Sequence, residues 1–525
     1  MFGQKKSVAA CAAGIALVTA VSFTGCSGKK SADNGQDGTR SLRYWSTITS
    51  TLSSQVTNIG DTPLMKKAQE ITGINVKFEH PAQGQEKEKF NILVASGDYP
   101  DIIQYAWDTY PGGPQKAINE KIIIDINEIK DKAPNLMKYL NEHEDVKKLA
   151  LTDNGSLFSF PFIRGDESLL YSGGLIIRQD WLDELGLEMP ETIDDWENVL
   201  IAFRDKKGCK APLCMGMSNF IQIHAFAGAF NVGIGYYVDD GVVKFGMAQP
   251  QYKEFLALMN KWYKEKLLDQ DFATLSSATI DSNILNGTSG VVQGGIGGGM
   301  GRYMRSAPND KFKLAGAPYP VMNKGDYPEF GGMNMPIPVW MNAGHSAISA
   351  ESKNKELAAE FLDFGYSDEG RMLYNFGIEG ESYEMIDGYP TYTKLITNNP
   401  DGLSMSEALS LYTYAYDAGP TIQDKRYMEQ YAQLPEQKEA WAVWSKSNMK
   451  NHILPSLYAK DNEVKELANL ENAVTTYANS TMVKLIMGVE SLDNYDDIIN
   501  ELNSRGLQRV LEIKQAAYDR YLNNR

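Results

Sequence analysis

Excess positive charge is missing from this sequence. Its 51 Lys and Arg stand against 67 Asp and Glu, a formal net charge of −16. Phosphate backbones and anionic headgroups are therefore repelled overall, and nucleic acid is excluded as a general partner. Histidine and cysteine are scarce, five and four in 525 residues. With no second CxxC and no clustered His there is no zinc-site spacing, and no cofactor is expected. No GxSxG, HExxH or motif-placed Cys–His arrangement marks a nucleophile or a metallopeptidase. No GxGxxG register and no GK[ST] marks a nucleotide site. The longest apolar run, Ser7–Phe23, has about 17 residues, marginal for a membrane span. Aromatics, at 10%, are close to ordinary, so composition decides nothing about stacking platforms.

What is present starts at the N-terminus. Lys5 and Lys6 precede the apolar run, and residues 1–25 together have the form of a secretory signal. Phe23-Thr24-Gly25-Cys26 resembles a bacterial lipobox, with Phe where Leu is usual. That resemblance implies that Cys26 is diacylated and becomes the first residue of the mature chain; an ordinary signal with a chance cysteine is the alternative. Within residues 26–40, Ser27–Arg40 holds no apolar side chain larger than Ala32 and reads as a flexible tether. Loss of Lys5 and Lys6 takes the net charge to about −18, so lipid rather than charge would hold the protein at the outer face of the cell membrane. Cys209 and Cys214 frame a Cys-Lys-Ala-Pro-Leu-Cys loop. They form either a small disulfide in an oxidising compartment or two buried thiols.

About 485 residues follow the tether, enough for more than one hydrophobic core. No long linker or repeat divides them, which favours two lobes sharing one chain. Leu42–Trp45 reads as a strand, Asp61–Thr72 as a helix, and Ile74–Phe78 as a period-two strand. Glu86–Ala95 is helical and Asp101–Tyr105 a buried strand, a β-α-β-α-β order that predicts an α/β protein with ligands at the carboxyl ends of parallel strands. A second such unit begins with the strand Gly174–Arg178 and the helix around Trp181–Leu185. Thr192–Lys206 is a helix with a capping-box-like start, Asp195 standing in for Glu or Gln. Tyr252–Lys266 is helical, Ser289–Gln293 is a strand, and Glu463–Val483 and Tyr495–Leu522 read as long helices.

Several segments, in one consistent order over about residues 40 to 400, resemble the type-1 extracellular solute-binding proteins. They are most similar to the long lipoprotein subgroup of Gram-positive ABC sugar importers, and more distantly to maltodextrin-binding proteins. The segments are Ser96–Ile103 (SGDYPDII), Gly174–Gly186 (GLIIRQDWLDELG), Pro190–Trp196 (PETIDDW), Lys355–Gly370 (KELAAEFLDFGYSDEG) and Phe376–Gly380 (FGIEG) with Tyr383. The resemblance implies a class II periplasmic-binding-protein fold, two lobes joined by hinge strands around an interlobe cleft. Lobe one would take residues 41–163 and 331–395, and lobe two 164–330 and 396–525. Relatives carry a calcium loop after the helix matching Thr192–Lys206; here Asp205-Lys206-Lys207-Gly208-Cys209 has too few carboxylates for one.

A sugar cleft needs aromatic platforms for C–H faces and polar side chains for hydroxyls. Tyr105, Trp107 and Asp108 follow the Asp101–Gln104 strand, and Trp45 follows the first strand. All four are candidate ligand contacts, with lobe-one core as the alternative for Trp107. Arg164 and Glu167 stand at the presumed first crossover, either bonding hydroxyls or a uronate or simply solvated. Gln293 opens a run with six glycines, where backbone approaches a ligand or merely flexes. Trp340 is a further candidate, with Asn334 and Arg302; Trp181 and Trp196 read as core.

The resemblance implies a monomeric capture subunit that binds an oligosaccharide and passes it to ABC permease subunits, without turnover. A sensor subunit would use the same cleft. The rivals are an anchored polysaccharide hydrolase or lyase, whose paired acids need no motif, and a binder of peptides or other non-sugar solutes.

Overall fold

A computed structural model describes residues 40–332, 339 and 344–523. The chain divides into two units, Met1–Thr39 and Arg40–Arg525, and the described residues belong to the second. Cys26, Asn334 and Trp340 lie outside them. Among the described residues no helix is long and apolar enough to cross a membrane.

The strands that organise the chain are, in order, β1 Ser41–Trp45, β2 Asn75–Glu79, β3 Ile102–Tyr105, β4 Ile163–Arg164, β5 Gly173–Arg178, β6 Leu213–Cys214, β7 Val291–Gly295, β8 Leu314–Ala317, β9 His345–Ile348 and β10 Ile422–Gln423. The first sheet runs β9-β3-β1-β2. Its three early strands are parallel, with Tyr44 opposite both Phe78 and Ile102, as the alternation of strand and helix predicts. Helix Pro63–Thr72 makes the first crossover. Its Thr62 hydroxyl accepts the Met65 N–H, and Gly73 ends it at φ 62°, a left-handed close that glycine makes without a Cβ clash. The returning strand β9 joins β3 antiparallel, His345 opposite Tyr105.

The second sheet, β8-β5-β7-β6, departs from the expected parallel unit. Strand β5 is antiparallel to both neighbours, and only the β6–β7 pair is parallel. All six residues of β5 are buried. A strand covered on both faces shows an unbroken apolar run whichever way it points, so its direction is not written in its pattern. Helix Ile193–Lys207 starts with the expected box, Thr192 accepting from Asp195 N–H and Asp195 accepting from Thr192 N–H. Helix Pro435–Trp444 lies across the sheet. Trp444 is fully buried and donates to the carbonyls of Leu175 and Ala317. That approach needs Gly174 and Gly316, where an added Cβ would come within 2.5 Å of the Trp444 ring and 2.4 Å of Ala440.

Two hydrophobic cores result. One gathers Leu42, Tyr44, Ile102, Phe160, Ile348 and Tyr374; the other gathers Ile176, Trp196, Trp262, Val292, Trp444 and Leu485. Strand β4 pairs in parallel with β10, and Val339 bridges Ile163, so three chain passages lie side by side in the first core, to which Ile163, Val339 and Ile422 belong. The packing hands over earlier than residue 395, because Phe376, Tyr383 and Tyr392 already belong to the second core. The single long helix read over Tyr495–Leu522 is two, Tyr495–Ser504 and Leu507–Asn523. Gly506, at φ 98°, breaks it with a backbone conformation no helix contains.

Candidate functional site

The carboxyl ends of β1 and β3 open onto a cavity of about 250 Å³. One wall is the segment after β1, with Ser46, Thr47, Thr49 and Leu52; Gln104 of β3 forms another, and Ser410, Thr413, Tyr414, Asp417 and Ala418 close it. Asp417 is the one charged side chain in this lining. Its Oδ1 accepts from the Thr49 hydroxyl at 2.9 Å, while Oδ2 is buried without a hydrogen-bond partner. Burial, opposed by the Thr49 hydrogen bond and by the nearby Ser410 hydroxyl, which itself donates to the Ser406 carbonyl, pushes its carboxyl up to about 6. A buried acceptor with nothing to accept is costly, and the cost is removed by any donor that enters the cavity.

The segment carrying Asp417 is held by both cores. Tyr414 packs on Tyr374 at 5.0 Å in the first core, and Tyr416 faces Tyr431 at 5.8 Å beside the second. The Tyr414 and Ala415 N–H groups both donate to the Tyr374 carbonyl. Ala418 closes the turn at φ 66°, a conformation uncommon outside glycine, Asn and Asp and of the kind found where backbone is strained at functional sites.

The end of β7 carries a polar relay. The Asn219 Nδ2 donates to Gln293 Oε1 at 2.7 Å, and the Gly216 N–H donates to Asn219 Oδ1 at 2.9 Å. The glycine run that follows is not a free loop. Ile296–Gly301 forms a π-helical turn, a form rare enough to mark functional or strained places. A Cβ at Gly297 would lie 2.0 Å from the Tyr431 ring and one at Gly301 2.4 Å from Gln437 Nε2. Gly298 is exposed, with nothing within 4 Å of an added Cβ. Arg302 is held by Asp281 at 2.5 and 2.7 Å.

A larger cavity, about 540 Å³, lies beside β4, where the chain first passes from one core to the other. Arg164, Asp166 and Glu167 form one side, facing Lys148, Lys450 and Tyr521. Glu167 pairs with Lys450 and Asp166 with Lys425 at 3.4 Å. Desolvation lowers the Arg164 guanidinium to about 10. Much of this charge is engaged within the protein.

The sequence-predicted residues thus fall into three groups. Arg164 and Glu167 share the larger cavity, and Gln293 stands at the rim of β7. Trp45, Tyr105 and Trp107 meet one another around Phe90, with Tyr105 stacked on Phe90 at 3.5 Å and Trp107 edge-on to it at 5.4 Å. Trp107 is fully buried and donates its indole N–H to the His345 carbonyl. It therefore fills the first core rather than offering a platform, and Trp45 is 6% exposed. Asp108 lies next to this cluster with a buried, unpartnered Oδ1, and burial raises its carboxyl. Cys209 and Cys214 are not joined. One thiol donates to the Thr288 carbonyl and the other to Asp269, and burial pushes both up to about 12. Asp417, Thr49, Thr47 and Gln104 were not singled out as ligand contacts in the sequence. The signal was there in Tyr414-Ala415-Tyr416-Asp417 ahead of Gly419-Pro420, an aromatic–acid cluster of the same kind as Tyr105–Asp108.

Comparison with known proteins places these features in a family. The family profile described as bacterial extracellular solute-binding protein matches residues 57–372. The lipoprotein LipO of Bacillus subtilis is 26% identical over 75% of this chain and 78% of its own. The fructooligosaccharide ABC transporter substrate-binding protein FusA of Streptococcus pneumoniae is 23% identical over 88% of this chain and 87% of its own. A crystal structure of the alginate-binding protein AlgQ2 without calcium ion superposes with a TM-score of 0.72 at 21% identity, covering 92% of this chain and 98% of that one. These likenesses show a two-lobed α/β fold of the class II periplasmic-binding type, with hinge strands and a cleft between the lobes.

Proposed function

Because the chain belongs to the bacterial extracellular solute-binding protein family, we propose that it is a lipid-anchored capture subunit that binds an oligosaccharide between its lobes and delivers it to the permease of an ABC importer. The observation that carries the sugar reading is the hydroxyl- and amide-lined cavity at the ends of β1 and β3, with its unpartnered Asp417 oxygen. Hydroxyl-rich solutes supply the donors such a cavity lacks. The related FusA and AlgQ2, named for fructooligosaccharide and for alginate, support a saccharide as the class.

In this reading lobe one is built on residues 41–163 and 331–395 and lobe two on 164–330 and 396–525, with the last boundary moved earlier by the packing of Phe376, Tyr383 and Tyr392 in the second core, and Cys26 bears the lipid. Asp108 and Gln293 are the candidates toward the cleft, Tyr105 being engaged by Phe90; Arg164 and Glu167 are the candidates at the hinge. Solute contacting both lobes favours the closed form by its differential contacts, and that form docks on the permease. The chain itself transforms nothing. The test is a thermal-shift screen against neutral and acidic oligosaccharides, with peptides as controls. A ligand at about 100 times its Kd stabilises by about 2.7 kcal/mol. A shift with an oligosaccharide, and no product after overnight incubation, supports the reading. Product formation moves the case to an anchored hydrolase, and a response to peptides alone overturns the sugar.

A further inference from the structure

The cavity at Asp417 is narrower in chemistry than the family it belongs to. At about 250 Å³ it is smaller than the roughly 300–1,000 Å³ of sites that hold drug-sized ligands, so it takes one ring of a saccharide rather than several. Its polar lining is hydroxyls, those of Ser46, Thr47, Thr49 and Ser410 among them, the Gln104 amide and the Asp417 carboxyl, with no Lys, Arg or His. Hydroxyls and amides both donate and accept, and so tolerate either partner. The carboxylate only accepts. One of its oxygens already takes the Thr49 hydroxyl, and the other is buried and waiting for a donor. A ring hydroxyl satisfies it. The carboxylate of a uronic acid brings a second negative charge and no donor, into a place where water cannot screen the pair.

We infer that the Asp417 pocket receives a single uncharged sugar ring through its hydroxyls and turns away a uronic acid at that position. This rests on the sugar reading above and names the class of sugar. A chain end would fit the pocket, with further units lying outside it.

Isothermal titration calorimetry on the full chain in mild detergent tests it, using trimers that differ only in C6: galactotriose against trigalacturonic acid, mannotriose against trimannuronic acid, and cellotriose against its tri-uronate. Expected is binding of at least one neutral trimer, with its acidic counterpart tenfold or more weaker. In Asp417→Asn the carboxamide keeps the acceptor for Thr49 and supplies an N–H₂, so the neutral trimer weakens while the gap to the acidic one shrinks. The variant's melting curve confirms that it folds. An acidic trimer binding as tightly as its neutral partner overturns the inference and leaves the sugar reading intact, as does an unchanged gap in Asp417→Asn. Binding of a control tripeptide with no response to any trimer overturns both.

Discussion

Asp417 sits in the fold against its own ionisation. Its carboxyl is raised from 3.8 to about 6 by burial. Its fold-stabilising contribution is therefore fully present below about pH 4 and is lost as pH rises through 6, a penalty of about 3 kcal/mol at neutral pH. Asp417→Asn removes that penalty. We expect the unliganded variant to gain about 1–3 kcal/mol at pH 7.5 and nothing at pH 4, read from urea midpoints at the two pH values. The opposite sign holds at Trp107, which is enclosed and bonded to the His345 carbonyl. Trp107→Ala should cost about 3–5 kcal/mol, whereas Trp107→Phe should lower the melting point and leave solute affinity nearly unchanged; a large loss of affinity in Trp107→Phe would return this residue to the cleft. The two thiols make a third check. With Cys209 and Cys214 buried and raised to about 12, thiol reagent at pH 8 should find neither in the native fold and both in urea, since the thiolate is the reacting form.

At the scale of elements, what the sequence shows depends on whether a pattern distinguishes the alternatives. The first sheet was legible because β2 alternates buried and exposed residues and Thr62 and Gly73 bracket the helix before it. The box at Thr192 was legible for the same local reason. The direction of β5 was not, since a strand buried on both sides reads alike in either sense. The glycine run was visible as an anomaly but not as a π-helical turn, because its cause is the distant ring of Tyr431 and the amide of Gln437. That cause makes neighbouring positions unequal. Gly297→Ala should destabilise by about 1–3 kcal/mol through overpacking, and Gly298→Ala, with open space beside it, should be neutral or slightly stabilising. Equal losses at both positions, measured by denaturant melts, would mean that the turn depends on glycine backbone freedom rather than on close approach.

For the molecule as a whole, local spacing pointed to an α/β chain, and the resemblance of ordered segments pointed to two lobes. The proposed solute site is less plainly written in the sequence, for a physical reason. Asp417 and Thr49 are 368 positions apart and are joined only by the way the chain returns to the first core after visiting the second. Aromatic residues near strand ends drew the eye instead, yet Trp45, Tyr105 and Trp107 are spent on Phe90 and one another. Small-angle scattering should show the radius of gyration falling when a binding oligosaccharide is added; no change in a sample shown calorimetrically to be saturated would argue against lobe closure.

The strap from Tyr414 to Asp417 has a practical consequence. Tyr414 packs in the first core and Ala415 in the second, and the Asp417 carboxylate faces the cavity. A reporter dye placed at Tyr416 would sit on a segment held by both cores, one residue from the carboxylate that the proposed solute engages. The protein then becomes its own optical sensor, and a growth medium could be screened for its solute before any transport is measured.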